Sequence, residues 1–331
     1  MFTVMSDGGA RFDRDDGVTA GAQRARAALA GTRFADVRWV ATTGSTNSDA
    51  LALARDGAPE GIVVVADHQS AGRGRRARTW VAPPGGSLLL SVLLRPPARV
   101  AGAVTMAAAV ALAEAIEEVA GITAGLKWPN DLVVATADGD RKLAGILAEA
   151  DWPAGSTISG GYRAPAVHDR AVVVVGIGVN VTWPRAPGDT RGGEGAPASG
   201  AAAATGLPAG GTGAEEGSSA DGLTEVADTA TALNWLVGRT DRVDRVDLLV
   251  AFLRRLDQLY ASMVRDGADG LVAEWRRRSA TLGRRVRVDL GVDDVEGTAV
   301  DVTDDGHLVV ETVEGDRRTL AVGDVLHLRP L

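Results

Sequence analysis

An α+β fold, with a mixed sheet flanked by helices and a small separate β unit at the C-terminus, is what three patterns in this sequence predict. Short apolar runs bounded by turn residues recur between residues 36 and 181, and few helices separate the later ones. That spacing favours antiparallel neighbours over a doubly wound sheet. One long helical periodicity lies among these runs and a second follows them, and after Gly283 the texture changes to short alternating segments.

Taken in order, Asp36–Thr42 reads as a strand, and Gly44-Ser45-Thr46-Asn47 reads as a cap for a helix over Ser48–Asp56. Gly61–Asp67 is a continuous apolar run suited to a buried strand, and Ser87–Leu94 is a second strand after the turn Pro83-Pro84-Gly85-Gly86. Arg99–Ala120 is an alanine-rich helix stopped by Gly121. Strands follow over Leu132–Ala135, Lys142–Ala150 and Val172–Val181. A helix is expected around Ala227–Val237. A strongly amphipathic one carries Leu248, Leu249, Phe252, Leu253, Leu256, Leu259, Tyr260 and Met263 at helical spacing. Leu271–Ser279 extends that helical region. Strands over 284–289, 297–302, 307–312, 318–321 and 325–328, with the turn pair Asp305-Gly306, suggest a small β-barrel.

The domain reading is therefore a poorly ordered segment over 1–35, a main domain over 36–280 and a small β-barrel over 281–331. Residues 185–222 form a disordered insert within the main domain. In that insert 21 of 38 residues are Gly or Ala and Leu207 is the single large aliphatic, too little apolar surface to offset ordering entropy.

Composition narrows the function classes. The net charge of −8 argues against a general nucleic-acid binder, which usually carries a basic face. With no cysteine and four histidines, neither a disulfide framework nor a structural zinc site is expected. No run approaches the roughly 18 apolar residues of a membrane span, and the acidic N-terminus has no signal-peptide core, so a soluble cytoplasmic protein is expected.

Five segments carry chemistry. In Ala71-Gly72-Arg73-Gly74-Arg75-Arg76, two glycines allow close backbone approach while three guanidiniums offer forks for phosphate or carboxylate. Alone it is equally an arginine-rich surface loop, and it is not a phosphate-binding loop of the Gly-x-x-x-x-Gly-Lys type. Leu126-Lys127-Trp128-Pro129-Asn130-Asp131 is by itself a turn with an exposed acid. Lys142-Leu143-Ala144-Gly145-Ile146-Leu147 places a glycine inside a strand, where a ligand often approaches. Val175-Gly176-Ile177-Gly178-Val179-Asn180 holds its glycines in a strand, which is no dinucleotide fingerprint. Thr43-Gly44-Ser45-Thr46-Asn47 is, alone, a good helix cap.

Together, in this order and spacing, the five segments closely resemble the catalytic domain of biotin protein ligases from about Val40 to Val181, and more loosely to the C-terminal unit. The resemblance implies a catalytic domain related to class II aminoacyl-tRNA synthetases, followed by an SH3-like barrel. It implies ATP-dependent activation of biotin to biotinyl-5′-AMP and transfer to a lysine of a biotin carboxyl carrier protein. By matching position it assigns biotin contacts to Ser45, Thr46, Asn47, Gln69, Gly72, Arg73, Gly74, Arg75, Lys142 and Gly145. It assigns the ATP and adenylate side to Arg75, Arg76, Trp80, Lys127, Asn130, Asp131 and Asn180. Arg73, Lys142 and Asp131 are the implied catalytic residues, with Asp131 a candidate to orient or deprotonate the acceptor amine. ATP, biotin and Mg²⁺ carried on the ATP phosphates complete the expected set, with no protein-built metal site. His68 is read as a residue at the pocket edge, and the segments 151–170 and 185–222 as loop decorations outside the motifs.

The 35 residues before the first strand are too few for an independent DNA-binding module, so a ligase without operator binding, monomeric or a weak homodimer and off the membrane, is expected. A lipoate or octanoate ligase is the nearest alternative. A non-enzymatic regulator presenting Arg284, Arg285 and Arg287 of the barrel is a more distant one.

Overall fold

The computed structural model describes residues 16–151, 157–158, 161–162, 169–184, 229–237, 243–291, 293–321 and 323–328. The expected insert over 185–222 and most of the 151–170 loop lie outside these.

Seven strands make one sheet in the order β1-β2-β3-β9-β6-β5-β4. They are β1 (Val37–Thr43), β2 (Val63–Gln69), β3 (Ser87–Leu94), β4 (Gly125–Lys127), β5 (Asp131–Thr136), β6 (Gly139–Asp151) and β9 (Val172–Asn180). A separate two-residue pair, β7 (Thr157–Ile158) and β8 (Gly161–Tyr162), lies between β6 and β9 in the chain. Strands β1 and β2 run parallel, because helix α2 (Thr46–Arg55) crosses over between them, and the remaining neighbours are antiparallel. The sheet is thus mixed, as the texture of the sequence predicts.

One face of this sheet meets the helical layer. Val173, Val175, Ile177 and Val179 of β9 point there, alongside Leu88 and Leu90 of β3 and Ala144 and Ile146 of β6. Each large aliphatic buried this way contributes roughly 1.5–3 kcal/mol. The layer consists of α1 (Asp16–Ala28), α3 (Val104–Ala120), α5 (Arg245–Asp266) and α6 (Asp269–Arg278). The alanines of α3 leave both its flanks flat enough to sit between sheet and α5. The stretch Ala98–Ala120 is apolar and long enough to cross a membrane, but 78% of its apolar window is buried inside the fold, so it is the core helix. Gly121 ends it in the left-handed conformation at φ 65°. Helix α5 is capped by Asp244, whose carboxylate accepts from the amides of Val246 and Asp247 at 2.6 and 3.3 Å.

Two expectations need correction. The segment assigned as poorly ordered over 1–35, in which Thr19–Leu29 could form a short helix, contains α1, which buries Ala22 and Ala25 in the main core, with Leu29 and Phe34 following. Arg33 pairs with Asp257 at 2.5 Å and Arg24 with Asp244 at 2.8 Å, so α1 and its following turn are tied to α5. The helix expected over Ala227–Val237 is the four-residue α4 (Leu233–Leu236). Ahead of it the chain is extended, since Thr229 and Thr231 hydrogen-bond to the backbone of Lys142 at 2.9 and 2.8 Å.

The C-terminal unit is a five-stranded antiparallel sheet in the order β13-β12-β11-β10-β14. These strands are β10 (Arg285–Asp289), β11 (Asp294–Val302), β12 (Leu308–Thr312), β13 (Arg317–Leu320) and β14 (Asp324–His327). All five expected strands are present within a few residues. Among the described residues the pairing runs from β13 to β14 without joining these two edge strands, so the five strands of the expected barrel are present and its closure is not shown.

The two units meet at a polar seam. The Trp128 backbone amide donates to Thr281 at 3.0 Å and its indole to the Gly306 carbonyl at 2.9 Å. Arg284 donates to Asp140 at 2.6 Å, and His327 lies between them, 3.1 Å from Arg284 and 3.3 Å from Asp140. Burial, with Lys127 and Arg284 nearby, pushes the His327 pKa down to about 4 against Asp140. A histidine depressed in the fold favours folding fully above its unfolded pKa near 6.5, and the contribution is lost as pH falls toward about 4. The loss approaches about 3 kcal/mol at most, so thermal melts of His327→Gln should show a flatter decline in Tm between about pH 6.5 and 4 than the unmodified chain. Parallel curves would remove His327 as the cause.

Candidate functional site

The opposite face of the sheet carries α2 at one end, packed through Ala50 and Ala54 onto Ile62, Val64, Leu93 and Val174. Beside α2 no helix among the described residues covers this face, and a cleft of about 280 Å³ opens there. Its floor follows from β9. Alternation sends 173, 175, 177 and 179 into the helical core, so Gly176 and Gly178 both face the cleft. A Cβ at Gly178 would lie 2.5 Å from the Trp80 ring, and one at Gly145 of β6 would lie 2.9 Å from it. The indole of Trp80 therefore lies flat on two glycines of neighbouring strands. A Cβ at Gly176 would lie 2.1 Å from Asn47 Oδ1, so this glycine makes the space for the Asn47 amide.

At the α2 end, Ser45, Thr46, Asn47 and Gln69 line the cleft. Ser45 occupies the N-cap position, yet its side chain makes no capping hydrogen bond. The Thr46 amide donates instead to Gln69 Oε1 at 2.8 Å, across from β2. The helix end is satisfied by a remote side chain, and the Ser45 hydroxyl is not committed to it. Buried Ser91 of β3 holds both Thr46 and Asn47, its hydroxyl 2.8 Å from Thr46 Oγ1 and 2.6 Å from Asn47 Oδ1.

At the other end stand Lys127, Asn130, Asp131, Lys142 and Gly145. The Trp128–Pro129 peptide is cis, in the turn between β4 and β5. Asn130 is fixed to β6 twice, by Nδ2 to the Ile146 carbonyl at 2.8 Å and by its own carbonyl to the Ile146 amide at 2.9 Å. Lys142 Nζ sits 2.7 Å from Asp131 Oδ1 and 5.4 Å from the Trp80 ring centroid. Plain alternation would put Lys142 on the same face as Ala144 and Ile146. The register slips between Leu132 and Val133, so that one extra β6 residue, Leu143, bulges and Lys142 shares a face with Gly145.

The arginine loop arches over one wall. Arg73, Gly74 and Arg75 line the cleft, while Gly72 and Arg76 face the adjoining hollow beneath the loop. Two consecutive non-glycine residues, Arg76 and Ala77, take φ of 51° and 58°, which costs about 1–2 kcal/mol each. The loop is held at both ends by acids. Arg73 pairs with Glu149 at 2.6 Å. Arg75 and Arg78 pair with Asp324, and Arg76 pairs with Asp289 at 3.1 Å, both acids lying in the C-terminal sheet. Burial lowers the Arg75 pKa, and Asp324 opposes that shift.

Thus thirteen of the residues singled out from the sequence, including Trp80, meet in one cleft. Gly72 and Arg76 border it. Asn180 is the exception: it is 2% exposed, off the cleft wall, and its Nδ2 donates to the Thr231 carbonyl at 3.0 Å. It shares the glycine face of β9, but the extended segment ahead of α4 covers it there. Glu149, Ser91, Asp324, Val325 and Leu326 were not foreseen. Glu149 had a signal, since it continues the alternation of Gly145 and Leu147. Asp324 had none, because the contact joins residues some 250 positions apart.

Comparison with known proteins agrees with this geometry. Residues 39–158 match the biotin/lipoate A/B protein ligase family, and residues 281–328 match the biotin protein ligase C terminal domain. The biotin–[acetyl-CoA-carboxylase] ligase of Mycobacterium tuberculosis is 33% identical over 310 residues, covering 91% of this chain and 92% of the relative. The chain belongs to the biotin protein ligase family. The bifunctional ligase/repressor BirA of Bacillus subtilis is 30% identical, over 83% of this chain and 69% of that relative. The fold is that of the biotin protein ligase from Aquifex aeolicus solved in complex with biotin and ATP. That structure has a TM-score of 0.61 at 23% identity, covering 90% of this chain and all of the other. This family member is a ligase, and its cleft combines a polar closed end, a basic rim and an aromatic floor.

Proposed function

We propose that this ligase condenses biotin with ATP to biotinyl-5′-AMP, releasing pyrophosphate, and transfers the biotinyl group to one lysine of a biotin carboxyl carrier domain. The observation that carries the reading is the polarity of the cleft's closed end. Ser45, Thr46, Asn47 and Gln69 gather hydroxyl and amide groups there, which suits a ureido ring with one carbonyl and two N–H groups. A dithiolane ring, as in lipoate, would leave those buried groups unpaired at about 1–3 kcal/mol each.

The chemistry follows from the residues along the cleft. In the first step a carboxylate oxygen attacks the α-phosphorus and pyrophosphate leaves with the electrons of the broken P–O bond, so negative charge grows on phosphate oxygens and must be stabilised there. Arg73, Arg75 and Lys142 supply fixed positive groups for this, and no protein nucleophile is needed. Mg²⁺ carried on the ATP phosphates would supply charge neutralisation on the triphosphate. The described residues gather no cluster of three metal-ligating side chains, and the cleft acids Asp131 and Asp324 are already paired with Lys142 and with Arg75 and Arg78. Trp80 provides a flat apolar surface for the adenylate. In the second step an acceptor amine attacks the mixed anhydride and AMP leaves. Asp131, next to Lys142, is the carboxylate we assign to orient that amine.

Mass spectrometry of a carboxyl carrier domain, after incubation with this protein, biotin and MgATP, should show a gain of one biotin on one lysine. Pyrophosphate release with lipoate but not with biotin would overturn the assignment in favour of the lipoate reading.

A further inference from the structure

We infer that Glu149 is a positioning residue for the ligand's head group, because it fixes which end of the Asn47 amide faces the cleft and holds the arginine loop to the same point. The inference rests on the biotin reading above and deepens it.

Asn47 is surrounded on three sides. Its Nδ2 donates to Glu149 Oε2 at 2.8 Å and to the Leu147 carbonyl at 3.2 Å. Both partners are acceptors with no proton to give, and both belong to β6. They therefore require the nitrogen end of the amide on their side, and the oxygen end is turned to Ser91 and to the space beside Gly176. Ser91 has one proton and two acceptors within reach; Asn47 Oδ1 at 2.6 Å is the nearer. With both Nδ2 protons used, Asn47 has only an oxygen lone pair left for a ligand. It can accept from an N–H and cannot donate to a carbonyl.

The donors of this end lie elsewhere. Gln69 commits its Oε1 to the Thr46 amide, which leaves Nε2 as its free function, and the Ser45 hydroxyl is not used as a cap. One wall then accepts and another donates, the arrangement that a cyclic urea requires. Glu149 makes the shorter of the two bonds that set this polarity, the Leu147 carbonyl making the other, and a neutral amide in its place could present either end to Asn47.

The same Oε2 atom accepts from Arg73 at 2.6 Å. One carboxylate thus joins the floor of the head-group pocket to the first arginine of the covering loop. Asn47 is 4% exposed, whereas Arg73 and Glu149 have side chains 42% and 29% exposed. The bond to Asn47 is the more sheltered of the two and accounts for more of the effect.

Steady-state pyrophosphate release tests this with Glu149→Ala and Glu149→Gln, varying biotin and ATP separately. For Glu149→Ala the KM for biotin should rise about tenfold or more, with kcat and the KM for ATP held within about twofold. Glu149→Gln, isosteric and still able to accept from Asn47 through its carbonyl, should fall between the two. In an Asn47→Ala background, Glu149→Ala should raise the KM for biotin by less than it does alone, because only its hold on Arg73 remains to be lost. A biotin KM within about twofold for both Glu149 variants would overturn the inference alone. So would a parallel loss of kcat, both KM values and Tm, which marks general structural damage. An unmodified chain with no biotin-dependent pyrophosphate release would overturn the proposed function as well.

Discussion

Replacing Lys142 with alanine is expected to slow biotin-dependent pyrophosphate release by on the order of 10²–10³-fold at saturating substrates, while Tm changes little. The argument begins with the backbone. Lys142 lies at the start of β6, where the bulge at Leu143 turns its side chain from the core face to the cleft face. Its backbone is held by Thr229 and Thr231, so its position does not depend on its side chain. Removing the ammonium therefore leaves strand and bulge in place. What disappears is a cation 2.7 Å from Asp131 and over the Trp80 ring, the group proposed above to hold charge on the reacting oxygens. Arginine is not expected to rescue it, since a planar fork of different reach cannot repeat a point charge beside Gly145. Single-turnover measurement of adenylate formation checks this. A variant within about tenfold of the unmodified rate would show that the arginine loop alone carries the developing charge.

The same bulge shows how far local sequence could be read. Strand identity on β6 was legible because Leu143, Ala144, Ile146 and Leu147 are apolar and flanked by polar turns. The direction in which Lys142 points was not, because a bulge depends on the partner strand, and nothing in residues 142–147 specifies a slip opposite Leu132 and Val133. The cap residues divide in a similar way. Ser45 could be placed at the start of α2 from its type alone, but Gln69, from another strand, takes over the capping. Asn180, assigned to the adenine side by the resemblance, shares the face of Gly176 and Gly178. Its burial comes from the chain near Thr231, which returns only after a long insert. The cleft's local motifs were therefore visible, whereas acids that bind its arginines from afar were not. Asp289 and Asp324 reach Arg75, Arg76 and Arg78 across the seam between the two units, and no spacing rule links them. The C-terminal sheet was read strand by strand, since alternation is local, while closure of a barrel is a long-range property of its edges.

Valine at Gly178 is expected to slow adenylate formation by on the order of 10²-fold or more, with the fold retained at a cost of about 1–3 kcal/mol. The position is central in β9, between β3 and β6, where a β-branched residue is favoured for the strand itself. A Cβ there, however, would stand 2.5 and 2.6 Å from two carbons of the Trp80 six-membered ring, well inside contact distance. Backbone cannot withdraw, because Gly178 is paired on both sides, with Leu89 and with Gly145. The indole must leave the floor, and with it goes the flat surface between Lys142 and the two glycines. Alanine at the same position gives the same first clash with less bulk beyond it, so it should lose less activity than valine. Gly176→Ala makes a useful contrast: its Cβ would meet the Asn47 amide and not the indole, so it should raise the KM for biotin more than the KM for ATP. Intrinsic tryptophan fluorescence and calorimetric titration with ATP and biotin separate these outcomes. Unchanged ATP binding in Gly178→Val would mean that Trp80 does not serve the nucleotide side, and that the glycine pair in β9 exists only for packing.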